Sequence, residues 1–478
     1  MPARVNAASA WAAQRRAATV FAARQAAEAM ERCYRDGLDR ERRLPIASRA
    51  VRTCLISPHV SGVLRGTSHG PVGGAEIQLS RLATTLARDP RFSVTVVTSD
   101  GTRSGRERFA GLTVAYTSLF GQSDLAPTSA PRAARSARSE GAVPETSENP
   151  GLRSPVARRL PAAMAAPLRW LVHRGREVRD VAAWIRLLGS IDADIYVMRC
   201  ASPQVAYVRL AATLLRRKLV YLAAHDQDVN GGYVVQQGIW GRRFDWGLRR
   251  ADAIVCQHGE QVMQVRRRYG RGAELIRSFR PVEAVQGRAM PRTCILWMAR
   301  LDDWKQPSLF IDLAERFPHE MFLMVGPPSD TNPNALAALG ARMGALQNFR
   351  FEPGVPFEET SALFAQAKLF INTSRGEGFP NTFLQAAACG TPIVSWSVNP
   401  DGILTRYQMG ICANGDQATF EQALRDLCGD VEFRVRMGEN GRRYVARQHA
   451  SGPIGAQYAD QEPAGGDGRQ RLAGGIRD

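Results

Sequence analysis

The sequence predicts an α/β protein of two consecutive Rossmann-like domains, each a doubly wound parallel sheet, which face each other across a cleft. Short continuous apolar runs, typical of strands buried on both faces, alternate with helical segments along the chain. The alternation occurs twice, with a break around VQGRAMPR at residues 285–292. A chain of 478 residues is also too long for one hydrophobic core. Two such domains place binding sites at the carboxyl ends of their strands.

The first domain is predicted over residues 51–290, after an Ala- and Arg-rich helical extension at residues 1–50. Residues 121–160 are rich in Ser, Pro, Ala and Arg, which indicates a disordered insertion within this domain. The predicted strands are VRTCLIS (51–57), SVTVVTS (93–99), LTVAYTS (112–118), IYVMRC (195–200), KLVYLAA (218–224), AIVCQ (253–257) and ELIRS (274–278).

The second domain is predicted over residues 291–455, and the Gly-rich tail at 456–478 is expected to be disordered. Its apolar runs are again short, continuous and separated by helical segments, so it repeats the pattern of the first domain. The predicted strands are CILWMAR (294–300), MFLMVG (321–326), FRFEPGV (349–355), LFINTS (369–374) and PIVSW (392–396).

The positive charge of the chain is concentrated in its N-terminal part. Residues 1–290 hold 45 Lys and Arg against 24 Asp and Glu, whereas residues 291–478 hold 18 against 21. A basic half favours an anionic partner, such as nucleic acid, an acidic membrane surface or a phosphorylated substrate. Residues 158–188 are basic and contain Trp and Leu, which fits either an interfacial helix or a solvated helical insertion with ordinary packing.

The cysteines and the hydropathy pattern indicate the cellular compartment in which the protein is expected. The eight cysteines stand singly, without a CxxC pair, and several lie inside apolar runs where Cys acts as a small hydrophobe. This favours a reducing cytoplasm over a disulfide framework or a zinc site. No run of 18 or more apolar residues indicates a membrane span, and no secretory signal is recognisable at the N-terminus.

Two basic residues follow the first strand of the second domain, in RLDDWKQP. Arg300 ends the predicted strand and Lys305 stands five residues later. Two cations at one strand end suit a diphosphate, which needs both positive charge and hydrogen-bond donors. Charged residues are also common in solvated loops at strand ends, and that alternative stays open.

The stretch SRGEGFPNTFLQAAACGTPIV, at residues 374–394, follows the buried strand LFINTS. It predicts a short helix over 380–389, with Pro380 in its first turn and Gly390 just past its end. The free N–H groups at such a helix start attract anions. Glu377, just before the helix, would accept hydrogen bonds from ligand hydroxyls. Gln385 could face the same cleft or be a surface glutamine.

In the first domain, Gly73 and Gly74 precede a predicted helix, and His225 ends the buried strand KLVYLAA. Glycines in this position let a ligand approach the backbone closely, although such pairs are also frequent in plain turns. A histidine at a strand end is either structural or directed at the cleft between the domains.

Together these motifs resemble those of the glycosyltransferase family four enzymes, which have the GT-B fold. The resemblance is carried by GGAE (73–76), the strand-end His225, RLDDWK (300–305) and SRGEGFPNTFLQAAACGTPIV (374–394). It spans about residues 51–455 and implies a hexosyltransferase-like enzyme that moves a sugar from a nucleotide-diphosphate sugar with retention at the anomeric carbon.

The resemblance also implies the surroundings of the reaction. The acceptor would be a polysaccharide or a lipid-linked saccharide of the cell envelope. The reaction would use no metal and no cofactor besides the nucleotide-sugar co-substrate. The enzyme would be cytoplasmic, with peripheral contact at the inner face of the membrane.

By resemblance, the second domain would hold the donor. Arg300 and Lys305 would grip the diphosphate and stabilise the charge of the leaving group. Glu377 would contact the hydroxyls of the donor sugar, and Val355 would pack on the nucleotide base. The backbone amides that would face the sugar or the phosphate are those of Gly378, Phe379, Asn381 and Thr382.

The first domain would complete the site from the opposite side. The loop with Gly73 and Gly74 would reach the donor phosphates, and His225 would lie beside the sugar and bond one of its hydroxyls. The chain departs from the family at Gln385, where a second glutamate usually bonds the ribose. Because an amide is neutral and accepts fewer hydrogen bonds, the departure predicts weakened donor binding or an altered nucleotide preference.

Two other functions stay open on the sequence alone. A nucleic-acid-binding protein would fit the pI of about 10.3, but aromatic residues do not interleave with the charge and no nucleic-acid-binding motif is present. A GT-B nucleotide-sugar epimerase or phosphorylase would share the donor motifs. The order of GGAE, the basic pair and the Glu377 motif favours the transferase.

Overall fold

The computed structural model describes residues 50–65, 74–100, 103–120, 178–277, 291–328, 335–356 and 359–449. The predicted N-terminal extension, the predicted insertion at 121–160, the predicted tail and Gly73 lie outside the described residues, and so do residues 158–177. Within them the chain forms two parallel-stranded sheets with helices between the strands, which confirms the predicted α/β class.

The N-terminal sheet has eight strands in the order β3-β4-β2-β1-β5-β6-β7-β8. All neighbours pair in parallel except the edge strand β3, which pairs antiparallel with β4. The strands are β1 Val51–Ile56, β2 Phe92–Thr98, β3 Gly105–Phe109, β4 Leu112–Tyr116, β5 Ile195–Arg199, β6 Lys218–Leu222, β7 Ala253–Cys256 and β8 Glu274–Leu275.

Helices connect these strands. They are α1 Val60–Arg65, α2 Gly74–Leu86, α3 at 178–191, α4 Gln204–Leu214, α5 Gln227–Asn230, α6 Gly232–Gln237, α7 Ile239–Arg249 and α8 Gly259–Tyr269. Because parallel strands need crossover connections, every parallel strand ends at the same edge of the sheet. His225 and the residues after β5 therefore lie at one edge.

The C-terminal sheet has six strands, all parallel, in the order β11-β10-β9-β12-β13-β14. The strands are β9 Cys294–Met298, β10 Met321–Val325, β11 Phe349–Glu352, β12 Ala367–Asn372, β13 Ile393–Ser395 and β14 Gly410–Cys412. The helices are α9 Pro307–Arg316, α10 Ala335–Ala345, α11 Thr360–Gln366, α12 Asn381–Ala388, α13 Ile403–Arg406, α14 Gln417–Gly429 and α15 Val431–Gln448.

Each sheet is covered on both faces by apolar clusters, as the continuous apolar strands predict. Helix α3 belongs to this core, since Trp184 and Leu188 are fully buried and Trp184 packs edge-on against Phe120 at 5.5 Å. The ordinary-packing alternative therefore holds for residues 178–188, and the rest of the segment, residues 158–177, lies outside the described residues.

The last described helix, α15, packs directly on α12, the short helix of the second motif. The two backbones approach closely at Gly438, where an added Cβ would lie 2.2 Å from the carbonyl oxygen of Gly390. Just after α15, His449 lies against the ring of Phe379 at 5.5 Å, and its Nε2 is 2.9 Å from the hydroxyl of Tyr444. The end of the described chain thus supports the loop that carries Glu377.

The seven cysteines in the described residues are free thiols. Burial raises the pKa of Cys256 to about 12, so this thiol stays protonated and serves as a small apolar side chain. Among the described helices, none is both long and apolar enough to cross a bilayer.

Candidate active site

The strand ends of the two sheets meet at a cleft, and the sequence-predicted residues gather there. His225 comes from the end of β6, Lys305 from a 3-10 turn after β9, and Glu377 from the loop after β12. The two sides touch where the imidazole Nε2 of His225 lies 3.2 Å from the carbonyl oxygen of Gly376.

An ion pair between Lys305 and Glu377 forms the centre of the site. The ammonium bonds the carboxylate Oε1, which also accepts a 2.7 Å hydrogen bond from the Ser374 hydroxyl. Both charged side chains are largely shielded, with exposed fractions of 16% and 13%. Because partial burial weakens screening by water, this pair is held more firmly than a surface ion pair.

Hydrogen bonds to neighbouring residues fix the backbone around Lys305. Its carbonyl oxygen accepts a 2.5 Å bond from the hydroxyl of Thr373, which in turn accepts a 2.8 Å bond from the indole of the buried Trp297. The amide of Arg375 donates to the carbonyl oxygen of Trp304 at 3.0 Å. These bonds tie the loop after β9 to the loop after β12, so the cation and the carboxylate move as one unit.

Trp304 is a site residue that the sequence analysis missed. The ammonium of Lys305 lies 3.9 Å from the centre of its ring, and the imidazole of His225 meets the ring edge-on at 5.6 Å. The aromatic face attracts the cation and holds the lysine side chain over the cleft. Its position inside DDWK, next to the predicted lysine, was the available signal.

His225 has one defined tautomer in this geometry. Its Nδ1 accepts a 3.2 Å bond from the amide of Gln227, so Nε2 carries the hydrogen and donates to Gly376. The carboxylate of Asp228 accepts bonds from the amides of Ala224, at 2.8 Å, and of His225, at 3.3 Å. The ring therefore presents an N–H donor to the opposite domain.

The loop before α12 lies against the N-terminal domain. The amide of Phe379 donates to the side-chain oxygen of Gln257 at 3.3 Å. At Gly378 an added Cβ would lie 2.4 Å from the carbonyl oxygen of Ala224, so only glycine fits. The Phe379 amide, predicted to face the donor, is thus engaged across the cleft.

Asn381 also reaches across, since its side chain accepts a 2.7 Å bond from Gln78 and lies 3.4 Å from the carbonyl oxygen of Gly74. The helix begins one residue later than predicted, because Pro380 has an extended backbone and occupies the cap position. Thr382 lies in the first turn of α12.

Gln385 is buried, not a surface residue. Its exposed fraction is 7%, and its amide nitrogen donates a 2.9 Å bond to the hydroxyl of Thr360 on α11. Val355, half-buried, lies five residues before that helix in the same domain. The departure from the family pattern therefore lies in the interior of the domain, beside a hydroxyl partner.

Arg300 is turned toward a neighbour. Its guanidinium forms a 3.0 Å ion pair with Asp302, whose side chain is 1% exposed. The two cations of RLDDWK are therefore both charge-paired, Arg300 with Asp302 and Lys305 with Glu377.

Arg199 is a second residue that the sequence analysis missed. It ends β5, beside Leu222 of the His225 strand, and its buried Nε has no hydrogen-bond partner in the described part of the chain. Burial lowers the pKa of Arg199, and the nearby carboxylates of Asp228 and Glu76 oppose that shift. The signal was an arginine at the end of IYVMRC, next to the strand that ends in histidine.

A carboxylate of the C-terminal domain caps a helix of the N-terminal domain. Asp401 accepts bonds from the amides of Gly259, at 2.9 Å, and Glu260, at 3.1 Å, at the start of α8. Asp401 has a left-handed backbone, with φ of 53°. The buried His258 lies between this carboxylate and Asp226, the residue next to His225. We call this contact the interdomain cap.

No three His, Cys, Asp or Glu side chains converge as a metal site in the portion of the chain that the structure describes. The chemistry available at the cleft is a cation, a carboxylate, an N–H donor and the start of a helix.

Comparison with known proteins shows which family and which enzymes this chain resembles. Residues 292–430 match the model of the family Glycosyl transferases group 1. The chain is 27% identical over 237 residues to a D-inositol 3-phosphate glycosyltransferase of Catenulispora acidiphila, which covers 43% of this chain and 54% of that protein. It is 29% identical over 241 residues to the enzyme of the same name from Nocardia farcinica, covering 45% and 52%. The chain thus spans about half the length of these curated relatives.

Solved structures share the fold at low sequence identity. Sucrose-phosphate synthase from Thermosynechococcus elongatus superposes with a TM-score of 0.59 at 15% identity, covering 86% of this chain and 97% of that one. HepE of Anabaena, in complex with UDP and glucose, superposes with a TM-score of 0.56 at 14% identity, covering 86% and 98%. The fold is GT-B. The matched family does not favour a nucleic-acid-binding protein, an epimerase or a phosphorylase.

Proposed function

We infer that this chain, whose residues 292–430 match the model of the group 1 glycosyl transferases, is an enzyme that transfers a sugar from a nucleotide-diphosphate sugar to a hydroxyl acceptor. The observation that carries the inference is the ion pair of Lys305 with Glu377, which faces His225 across the cleft. These groups lie close together. The cation suits the diphosphate, the carboxylate suits the sugar hydroxyls, and the N–H donor lies where the reaction centre would be.

In this reaction the bond between the anomeric carbon and the diphosphate oxygen breaks, and the nucleoside diphosphate leaves with the electron pair. The acceptor hydroxyl oxygen bonds the anomeric carbon on the face from which the diphosphate leaves, so the configuration is retained. Its proton passes to an oxygen of the departing diphosphate. Lys305 and Arg300 stabilise the negative charge on the leaving diphosphate, so no metal is needed. Diphosphate binding offers Lys305 a second anionic partner and frees Glu377 to accept bonds from the sugar.

His225 and the helix start complete the donor site. The defined N–H of His225 lies at the strand end where a sugar hydroxyl would be held. The amides at Gly378 and Thr382, together with the start of α12, supply donors and a positive dipole end for the phosphate. Val355 packs on the base, and Gln385 bonds the ribose through its side-chain oxygen.

The acceptor is a polysaccharide or a lipid-linked saccharide of the cell envelope, bound on the N-terminal domain. Arg199, at the centre of that sheet's carboxyl edge, supports an acceptor that carries a negative charge. The similar glycosyltransferase of Catenulispora acidiphila is named for D-inositol 3-phosphate, which agrees with an anionic acceptor class.

The test is Lys305→Ala against Lys218→Ala, the matched control. Lys218 pairs with Asp252 at 3.4 Å near the amino end of β6, away from the cleft. Removing a cation from the developing charge is expected to lower turnover by about 10²- to 10³-fold. The control is expected to keep wild-type turnover.

The measurement uses UDP-, GDP- and ADP-sugars, first by thermal shift of the wild type and then by release of nucleoside diphosphate. A donor that binds the folded state raises the melting temperature and identifies the base. Wild-type turnover in a well-folded Lys305→Ala protein would contradict the proposed role of the cation.

A further inference from the structure

The outer face of helices α6 and α7 is both apolar and basic. The exposed fractions are 86% for Val235, 63% for Ile239, 41% for Trp240 and 39% for Trp246. These are four of the eleven exposed large apolar side chains of the described residues, all within twelve positions. Large apolar side chains collected in one place on a surface mark a contact site.

Helix packing explains why this face points outward. The opposite side of α7 is buried against the domain through Gly241, Phe244, Gly247 and Leu248. Residues three and four apart share a face of a helix, so Ile239, Arg242 and Trp246 project together. The residues that form the outer face, hereafter the α7 face, are Val235, Ile239, Trp240, Arg242, Arg243, Trp246, Arg249 and Arg250.

The charge of the α7 face is strongly positive. Helix α7 and its cap residue contribute four arginines and one acid, Asp245. That acid is already paired, since it accepts bonds from Arg268 at 2.9 Å and from the hydroxyl of Tyr269 at 2.9 Å. Arg266 and Arg267, exposed at the end of the neighbouring α8, add further positive charge.

Each exposed indole has an arginine over its ring. The guanidinium of Arg243 lies 4.5 Å from the ring centre of Trp240, and that of Arg250 lies 4.7 Å from the ring centre of Trp246. Such pairs combine an aromatic body with a charge at one end, which suits a boundary between an apolar phase and water. Trp with Arg is the pattern of a helix lying in a membrane interface.

We propose that the α7 face docks the protein on the surface of an anionic lipid bilayer. The arginines match the charge of acidic headgroups, while the aliphatic and indole side chains enter the boundary between headgroups and acyl chains. Both halves of the ligand chemistry are needed, because Val235 and Ile239 add nothing to the binding of a polyphosphate backbone.

Charge argues against coverage by residues 121–177 or by a second copy. Residues 121–177, which enter the domain next to α3, hold nine arginines against five acids. A basic segment and a basic face repel each other, and the same holds for two α7 faces brought together. A negative surface is the partner that complements this face.

The position of the α7 face links the membrane to the cleft. Helix α7 leads back to the amino end of β7, so its first residues lie on the side of the sheet where the strands end. Val235, Ile239 and Trp240 are therefore at the rim of the cleft that holds His225. Docking through this rim would bring the cleft to the membrane surface.

The test measures binding of the full chain to vesicles of phosphatidylcholine with 30 mol% phosphatidylglycerol, and to vesicles of phosphatidylcholine alone, by co-sedimentation. Two variants are compared with the wild type. R242Q/R250Q removes two arginines that have no ion pair in the described residues, and I239S/W240S removes apolar area. The control is V431S/V435S, which alters two similarly exposed valines of α15.

The expected result is binding to the anionic vesicles that weakens with salt. Since each basic residue near such a surface contributes about 1 kcal/mol, R242Q/R250Q should lower the partition coefficient by about thirtyfold. I239S/W240S should lower it by about tenfold. V431S/V435S should bind like the wild type, and brominated lipid should quench wild-type Trp emission more than that of W240F/W246F.

Three results would overturn the proposal. Equal vesicle binding by the wild type and R242Q/R250Q would remove the role of the arginines. Indoles shielded from acrylamide without vesicles would mean that the chain itself covers the face. Single-stranded DNA that binds as tightly as the vesicles, with I239S/W240S unaffected, would indicate a nucleic-acid partner. None of these readouts depends on transferase activity.

Discussion

At the scale of single residues, the site rests on charged groups that already have partners. Lys305 bonds Glu377, and Arg300 bonds Asp302. A charged ligand must therefore replace a protein contact with a better one, which only a group of matching charge and shape can do. This exchange favours selectivity, since a neutral ligand leaves both ion pairs in place.

Gln385 gives the first prediction at this scale. Gln385→Glu places a carboxylate beside the hydroxyl of Thr360, which can donate a hydrogen bond to one of its oxygens. We expect donor affinity to rise, by about tenfold if a carboxylate–ribose bond adds ~1.5 kcal/mol over the amide. Isothermal titration calorimetry with the donor measures this change in affinity.

The matched variant is Gln385→Ala, which leaves the Thr360 hydroxyl without this bond and should weaken donor binding. A donor affinity that falls tenfold or more in Gln385→Glu would contradict the prediction that glutamine binds the donor more weakly than glutamate at this position. The fold of all three proteins is checked by thermal unfolding.

The sequence predicted which charged residues meet, but not how. Lys305 and Glu377 follow the neighbouring strands β9 and β12 of one sheet, so their convergence follows from the alternation of strands and helices. His225 follows a strand of the other sheet and meets them because the strand ends of both sheets border the cleft. Trp304 was not predicted, because the sequence does not indicate what the ring of an aromatic residue in a loop contacts. Arg199 was missed since a single arginine at the end of a strand carries no spacing pattern.

At the scale of elements, the predicted strands appear, ELIRS only as the two-residue exposed strand β8, and two further strands were not predicted. Strand β3, GRERF, is exposed and polar, as is typical of an edge strand, and it pairs only with β4. Strand β14 is three residues long. Apolar continuity cannot identify either one, because that signal measures burial on both faces.

The contact of α15 with α12 gives the prediction at the scale of elements. Gly438→Ala adds a Cβ 2.2 Å from the carbonyl oxygen of Gly390, so the two helices must move apart. We expect the free energy of unfolding to fall by about 1–3 kcal/mol. Urea unfolding, followed by circular dichroism, measures the change.

The control is Gly340→Ala in α10, where nothing lies within 4 Å of the added Cβ. Alanine is the better helix former, so this variant should gain about 0.5–1 kcal/mol. Equal effects from the two substitutions would show that α15 does not press on α12.

At the scale of the whole molecule, the interdomain cap holds the cleft in one arrangement. Asp401 belongs to one domain and satisfies two amides of the other, at a left-handed position that disfavours most side chains. Sequence could not reveal it, because the contact joins residues more than 140 positions apart through a loop that looks like an ordinary turn.

Asp401 carries the prediction at this scale. Asp401→Ala removes both bonds and should loosen the closed arrangement, which lowers kcat and raises the donor KM several-fold while both domains stay folded. Faster hydrogen exchange at the amides of Gly259 and Glu260 should accompany the kinetic change. Asp401→Asn tolerates the backbone and keeps one acceptor, so it should recover part of the activity.

Asp416→Ala is the matched control, since Asp416 caps α14 within its own domain by accepting a 2.7 Å bond from Thr419. It should cost about 1 kcal/mol of stability without changing the kinetics. Identical kinetics for the Asp401→Ala and Asp416→Ala proteins would mean that the interdomain cap is only a local helix cap.

The packing of α15 also sets an order of events during synthesis. The chain emerges from its N-terminus, and domains fold as they appear. The ribosome adds Glu377 about seventy residues before it adds Tyr444 and His449, the residues that support Phe379. A nascent chain that stops short of His449 therefore carries every charged residue of the predicted donor site without the contacts that support Phe379, so the site is completed only after His449 has been made.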